Sequence, residues 1–293
     1  MKIGIIGAGA VGSILARELN KLPENEFQLT VMARTARNGL TVLEDGIKIF
    51  HDIPVHDILS VKDKFDVLFI ATKTPALLTL KETIKNMTHG NSEIIYALNG
   101  MGYDDMFAQG IPSVVYVSGQ QHDEYIEHFV NQKIILPDQS FTYLDRLIQI
   151  IENDESIHFD LVKDKHFEQV RYEKLLINVG INSVTALSKN TAKIFEDDSM
   201  VRLTRTLLKE SIDIVNKNSQ TVYISPDFID YAMEMYMSYP REMGTSMYYD
   251  VMANRTTEYQ YIQGFVYNLK TDDHPPTPLL DTVVTLLSGY EKL

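Results

Sequence analysis

The sequence predicts an α/β protein, with a doubly wound parallel sheet in its N-terminal part and an all-helical C-terminal part. Three observations predict this. An apolar run over residues 3–6 leads into a glycine-rich turn and then a helical pattern, all within the first 19 residues. Further short, buried-type apolar runs recur to about residue 136. From about residue 166 the apolar spacing becomes helical, glycines thin out and no alternating strand pattern follows. The expected division is a dinucleotide-binding domain over residues 1–165 and a helical domain over residues 166–293.

The first element is read from Ile3-Gly-Ile-Ile-Gly7-Ala-Gly9-Ala10-Val11-Gly12. A pyrophosphate must lie close to backbone N–H groups at a helix N-terminus, and Cβ atoms would obstruct it. Strand, G-x-G-x-x-G turn and helix in that order make Gly7, Gly9, Ala10, Val11 and Gly12 the expected phosphate-binding residues of a Rossmann-type domain. A second strand over residues 27–34 ends at Arg34. That position normally selects the cofactor: an acidic residue accepts from the ribose 2′-OH of NAD, whereas arginine pairs with the 2′-phosphate of NADP. No Asp or Glu lies between Phe27 and Leu43, and Arg34 and Arg37 occupy the turn, so NADP is favoured.

Short β-like pieces at 46–50 and 53–58 precede a central strand over 65–71, which ends in Thr72-Lys73-Thr74. Carboxyl ends of strands line the ligand crevice of such sheets, which places Lys73 near the cofactor or the substrate. A helix over 76–87 leads to a strand over 93–98 that ends in Asn99-Gly-Met-Gly102, putting Asn99 at an equivalent position. Strands at 113–118 and 133–136 and a helix at 143–151 complete this half; Gly119-Gln-Gln-His122 is expected to extend the crevice. Helices are expected over 166–190, 197–218, 226–239, 257–269 and 278–290, with prolines marking their boundaries.

The bulk numbers remove other classes. A net charge of −13 and no cluster of Lys and Arg argue against a nucleic-acid surface. The absence of cysteine excludes disulfides, thiolate metal sites and cysteine nucleophiles. No segment has the length and apolarity of a membrane span, and the glycine-rich N-terminus is not a signal peptide, so a cytoplasmic enzyme is expected. The eight histidines show no ligand spacing beside a carboxylate, and no metal site is expected. The Tyr- and Met-bearing helical half could support a homodimer.

In the helical half, Lys174, Asn178 and Asn182 recur every four residues and share one helix face among apolar neighbours. Asparagines there are poor helix formers and costly if buried unpaired, which points to a ligand or to interhelical hydrogen bonds. A second cluster places Ser246 and Asp250 one turn apart, with Thr256 or Thr257 as a cap and Glu258 in the following turn. Spacing alone leaves Glu258 open between dipole compensation and a site role.

Together the glycine turn, Thr72-Lys73, Asn99-Gly-Met-Gly, the Lys174-x3-Asn178-x3-Asn182-x2-Thr-Ala-Leu helix and Ser246-Met-x2-Asp250-x4-Arg255-x-Thr-Glu258-x5-Gly264 resemble the ketopantoate reductase (2-dehydropantoate 2-reductase) family along nearly the whole chain. The resemblance implies NADPH-dependent reduction of a 2-oxo acid. It makes Lys174 the catalytic lysine and Asn178, Asn182, Ser246 and Asn99 substrate-binding groups, with Glu258 beside the active site and the cofactor ribose. It also places Lys73 and Asn99 at the cofactor and Arg34 on the 2′-phosphate. Asp250 and Arg255 read as framework. Two positions depart from the family pattern: Asn254 stands where glycine is usual, and Ser183 follows Asn182 where proline is frequent. The alternatives are a D-2-hydroxyacid dehydrogenase of the same fold acting on other branched or aromatic 2-oxo acids, and a non-catalytic NADP sensor.

Overall fold

The computed structural model describes residues 1–271 and 273–291, with the side chains at 130 and 131 outside the description. The chain divides into two units, one comprising Met1–Leu98 and Tyr103–Phe167, the other Asn99–Gly102 and Glu168–Leu293.

The first unit is built on β1 (Lys2–Ile6), α1 (Ala10–Leu19) and β2 (Gln28–Ala33). Next come β3 (Leu40–Glu44), β4 (Ile47–His51), β5 (Val55–Asp57), β6 (Val67–Ile70), α2 (Ala76–Asn86) and β7 (Glu93–Tyr96). The unit ends with β8 (Gly110–Pro112), β9 (Val114–Gln121), β10 (Ile126–Pro137), α3 (Leu144–Asn153) and β11 (Asp160–Asp164). Six strands form a parallel sheet in the order β5-β2-β1-β6-β7-β8. Counted along the chain within that sheet, the order reverses at β1 and β6, the switch point where Rossmann folds hold their ligand. Strands β1, β6 and β7 are buried on both faces, as a sheet covered on both sides requires.

A second sheet takes in the strands expected at 46–50, 113–118 and 133–136 as β4, β9 and part of β10, and adds β3 and β11, which the sequence does not signal. In it β10 pairs with β9 antiparallel, and with β3 and β11 parallel, while β4 closes a hairpin with β3. The connection from β2 to β5 therefore runs through a hairpin belonging to another sheet. Helix α1 packs on both sheets. Its buried Arg17 is held from three sides, by Glu18 (2.7 Å), by Gln132 Oε1 (2.6 Å) and by Glu44 of β3. Glu18 in turn accepts from Lys21 (2.7 Å) and from the backbone N–H of His158 (2.8 Å). Charges this deeply buried persist only when paired, and removing one partner of such a pair costs about 3–5 kcal/mol. The network ties the helix that follows the glycine turn to the second sheet.

Helix α3 begins without a cap from its own N-terminal residue. Glu93, buried at the start of β7, supplies the missing acceptor, taking the backbone N–H groups of Thr142, Tyr143 and Leu144 at 2.5–3.3 Å. A carboxylate at a helix N-terminus also meets the positive end of the dipole.

The second unit holds α4 (Phe167–Ser188, whose first residue belongs to the first unit), α5 (Asp198–Asn218), α6 (Phe228–Ser238), α7 (Ser246–Met252), α8 (Gln263–Asn268) and α9 (Pro278–Tyr290). Asp197 caps α5 through Ser199 N and Met200 N, and Thr245 caps α7 through Tyr248 N. Its core is aliphatic and aromatic, from Leu176 and Val179 of α4 through Leu207, Leu208 and Tyr236 to Leu280 and Leu287 of α9.

The structure corrects the expected single helix over 257–269. Residues Tyr259–Tyr261 form one 3-10 turn, Ile262 leaves helical geometry at φ −113° and ψ −85°, and α8 starts afresh at Gln263. The apolar period passes through the break unchanged, so periodicity could not show it. Strand β10 also begins seven residues before the expected 133, over Ile-Glu-His-Phe-Val-Asn-Gln, which mixes apolar and polar residues without strict alternation.

Candidate active site

Around the glycine turn, conformation and space explain the three glycines differently. Gly7 has φ +109°, and a Cβ on it would meet Ala71 O at 2.4 Å. A Cβ on Gly12 would fall 1.8 Å from Gly7 O, so this glycine lets α1 sit directly on the end of β1. At Gly9 a Cβ would touch only the end of the Gln121 side chain, at 3.4 Å. Neither its backbone conformation, at φ −83°, nor its surroundings within the protein demand glycine there.

Gly9 is also the N-cap of α1, with no side-chain cap and no acidic residue in the first turn. The N–H groups over Ala10, Val11 and Gly12 thus open a helix whose dipole nothing in its own first turn offsets. At the carboxyl end of β6, Thr72 Oγ1 is buried without a hydrogen-bond partner, and Lys73 beside it is exposed. Arg34 follows the end of β2 and is exposed. Arg37, three residues on, is pinned by its backbone to Val55 and donates from Nη2 to Ala8 O at 3.2 Å, laying a guanidinium against the glycine turn. An uncapped helix, open space at Gly9, an orphaned hydroxyl and nearby cations fit a dinucleotide.

The second unit gathers the other candidates. Lys174 and Asn178 are half-buried on α4, and Asn182 is buried on the same face. Burial pushes the Lys174 ammonium down from its usual value to about 8. Ser246 is the exposed first residue of α7, and Glu258 is buried immediately before the 3-10 turn. Asn99 joins this group despite its place in the sequence. Met101 N donates to Tyr261 O at 2.8 Å, Gly100 at φ +83° lets its backbone lie against Tyr261, and Met101 is buried in the helical core. The loop carrying Asn99 and the turn carrying Glu258 are therefore joined backbone to backbone. Thus Asn99, Lys174, Asn178, Asn182, Ser246 and Glu258 fall in one unit, and Gly7, Gly9, Ala10, Val11, Gly12, Arg34 and Lys73 in the other.

Two comparisons decide the family. The family described as "Ketopantoate reductase PanE/ApbA" matches residues 3–135, and its C-terminal counterpart matches residues 166–291. The chain belongs to the ketopantoate reductase family. A dimeric ketopantoate reductase from Staphylococcus aureus superimposes with a TM-score of 0.90 at 31% identity, covering 100% of this chain and 99% of that one. A 2-dehydropantoate 2-reductase of Mycobacterium tuberculosis is 22% identical over 98% of this chain and 97% of its own. A D-mandelate dehydrogenase shares the fold, with a TM-score of 0.84 at 18% identity over 100% of this chain and 99% of its own. This ketopantoate reductase family member is accordingly an oxidoreductase of a type that uses a nicotinamide cofactor.

The two departures from the family pattern acquire physical reasons. Asn254 has φ +52°, the left-handed region where glycine is at ease and asparagine is tolerated best among the rest. Beside it the framework pair forms, with Arg255 Nε 3.3 Å from Asp250 Oδ1 and Arg255 N on Asp250 O at 2.8 Å. Ser183 keeps the backbone N–H that proline would lack, and its hydroxyl donates to Val179 O at 2.5 Å. Thr72 and Thr185 stand in the quoted motifs without a role of their own, and Thr245 was not singled out, because a threonine carries no local signal beyond capping. Among the described residues, no group of three or more His, Asp or Glu is arranged to hold a metal, and no helix is long and apolar enough to cross a membrane.

Proposed function

We propose that the chain is an NADPH-dependent 2-dehydropantoate 2-reductase, forming (R)-pantoate for pantothenate biosynthesis in the cytoplasm, as a homodimer. The observation that carries this reading is the α4 face, where a lysine with its pKa lowered to about 8 stands one turn from Asn178 and two from Asn182, in the same unit as Ser246, Glu258 and Asn99. Family membership and the likeness to the Staphylococcus aureus enzyme support the substrate, and Arg34 with Arg37 supports NADP over NAD.

The glycine turn, Ala10, Val11 and Gly12 would hold the pyrophosphate, with Arg34 on the 2′-phosphate and Lys73 and Asn99 beside the cofactor. NADPH supplies the hydride. Lys174 Nζ donates a hydrogen bond to the ketone oxygen, where negative charge develops as the new C–H bond forms, and passes its proton to that oxygen to give the alcohol. The neutral amine then regains a proton from water. A carboxylate near a buried ammonium favours its protonated form, which is the role proposed for Glu258 along with contact to the cofactor ribose. Asn178, Asn182, Ser246 and Asn99 orient the carboxylate and hydroxyl of the substrate without adding charge.

The test is NADPH oxidation with a panel of 2-oxo acids that includes ketopantoate and branched and aromatic analogues. Preference for ketopantoate supports the reading, preference for an aromatic 2-oxo acid points to the D-2-hydroxyacid alternative, and cofactor binding without turnover of any member points to a sensor. NADH in place of NADPH tests the cofactor.

The pH dependence follows from Lys174. Its folded pKa lies below the ordinary lysine value, so the proton donor is present below about pH 8 and lost above it. The reduction rate is expected to fall as pH rises through about 8, whereas the reverse oxidation, which needs the neutral amine, rises over the same range. A reduction rate independent of pH between about 7 and 9 would remove Lys174 as the acid.

A further inference from the structure

Gln263, the first residue of α8, is fully buried in the helical unit and has no role in the mechanism above. Its Nε2 donates to Ser183 Oγ of α4 at 3.0 Å and lies 3.8 Å from Met247 Sδ of α7. The orientation of the amide is fixed by its neighbour. Ser183 gives its hydroxyl proton to Val179 O at 2.5 Å, so only a donor can face its oxygen. Gln263 Oε1 is left buried with no hydrogen-bond partner.

Three segments meet at this side chain, and each carries part of the proposed substrate site. Ser183 follows Asn182, Met247 follows Ser246, and Gln263 itself lies one short turn after Glu258. A second tie runs alongside. Thr185 donates to Ile181 O at 2.8 Å and receives the hydroxyl of Thr245 at 2.8 Å, while Thr245 caps α7 through Tyr248 N at 3.2 Å. The start of α7 is thereby fixed to α4 by two hydroxyls that each donate one hydrogen bond and accept another.

A half-satisfied carboxamide in an apolar core works against stability, and an apolar side chain of similar volume would fill the place at less cost. Local rules are broken in this way chiefly where position matters more than stability. We propose that Gln263 is a positioning residue, whose link to Ser183 and Met247 sets Ser246 and Glu258 against the Asn178 and Asn182 face of α4. The proposal rests on the substrate site described under the proposed function.

The experiment uses the full chain with Gln263→Met, Ser183→Ala and the double variant. It reads steady-state kinetics with the 2-oxo acid that the wild type turns over best, NADPH affinity by fluorescence titration, and thermal unfolding. The expected result for Gln263→Met is a fall in kcat/KM for the 2-oxo acid of about tenfold or more, in keeping with the cost of small misplacements. NADPH affinity is unchanged, and the melting temperature is equal to or above that of the wild type. Ser183→Ala shifts kcat/KM in the same direction, and the double variant is no worse than Gln263→Met alone, since both remove one link.

A lower melting temperature with unchanged kcat/KM shows a purely structural residue and overturns the proposal. So do additive losses in the double variant, or NADPH affinity lost in step with turnover. A wild type that reduces no 2-oxo acid overturns the functional reading itself, whereas an active wild type with unaffected variants overturns only the positioning role.

Discussion

Replacing Lys174 with alanine is expected to lower kcat for reduction by about a hundredfold or more, the contribution of a positioned general acid, while NADPH affinity stays unchanged. The cofactor residues proposed lie chiefly in the other unit, so binding and chemistry separate in this variant. The fold should survive. Burial has lowered the pKa of this lysine, which means the native state holds the ammonium at a cost below about pH 8, and alanine, the best helix former, removes that cost. Steady-state kinetics with fluorescence titration of NADPH checks the point, and turnover within about threefold of the wild type would remove the lysine from the mechanism.

The second large effect is a contrast between two glycines three residues apart. Gly12→Ala puts a Cβ 1.8 Å from a backbone carbonyl that cannot move without shifting the turn. Overpacking costs about 1–3 kcal/mol, with the upper end expected where the neighbour is backbone, so the variant should melt several degrees lower and lose NADPH affinity with its fold. Gly9→Ala meets only the flexible end of Gln121. Its melting temperature should match the wild type, yet NADPH affinity should fall by about tenfold or more, because the Cβ enters the space proposed for the pyrophosphate. Thermal unfolding and titration of both variants check the contrast. Equal NADPH affinity in Gly9→Ala and the wild type would show that the space at Gly9 is not where the cofactor lies.

The parts of the fold that were readable in the sequence are those where local pattern and final environment agree. The glycine turn reads correctly because strand, turn and helix are contiguous, and β1, β6 and β7 are apolar on both faces, as buried parallel strands must be. In the second sheet β3, β11 and the start of β10 were hidden. Strands β3 and β11 carry Thr, Glu, Asp and Lys on partly exposed faces, and the first half of β10 mixes apolar and polar residues without strict alternation, with an irregular register between His128 and Gln132. Partners far along the chain decide that such segments are strands, and local propensity does not.

The candidate site divides in the same manner. Lys174, Asn178 and Asn182 could be grouped because a single helix spaces them. That Asn99 belongs with Glu258 shows in the hydrogen bond from Met101 N to Tyr261 O and in Gly100 lying against the same carbonyl, neither of which leaves a mark on local sequence. Gln263 stood in plain view as a polar residue in the run Ile262-Gln-Gly-Phe-Val266, but nothing local says which hydroxyl it reaches.

The small segment Asn99–Gly102 has a consequence for cutting the protein into pieces. A fragment beginning at residue 166 would contain every helix of the C-terminal half and still lack one side chain of its own core, because Met101 is buried there. Leaving that volume empty costs about 2–5 kcal/mol, the range for truncating a buried methionine, and the fragment would also leave Tyr261 O without its donor. Such a fragment should be markedly less stable than the same residues in the intact chain, and a short peptide spanning residues 97–104, added in trans, is the piece that would repair it.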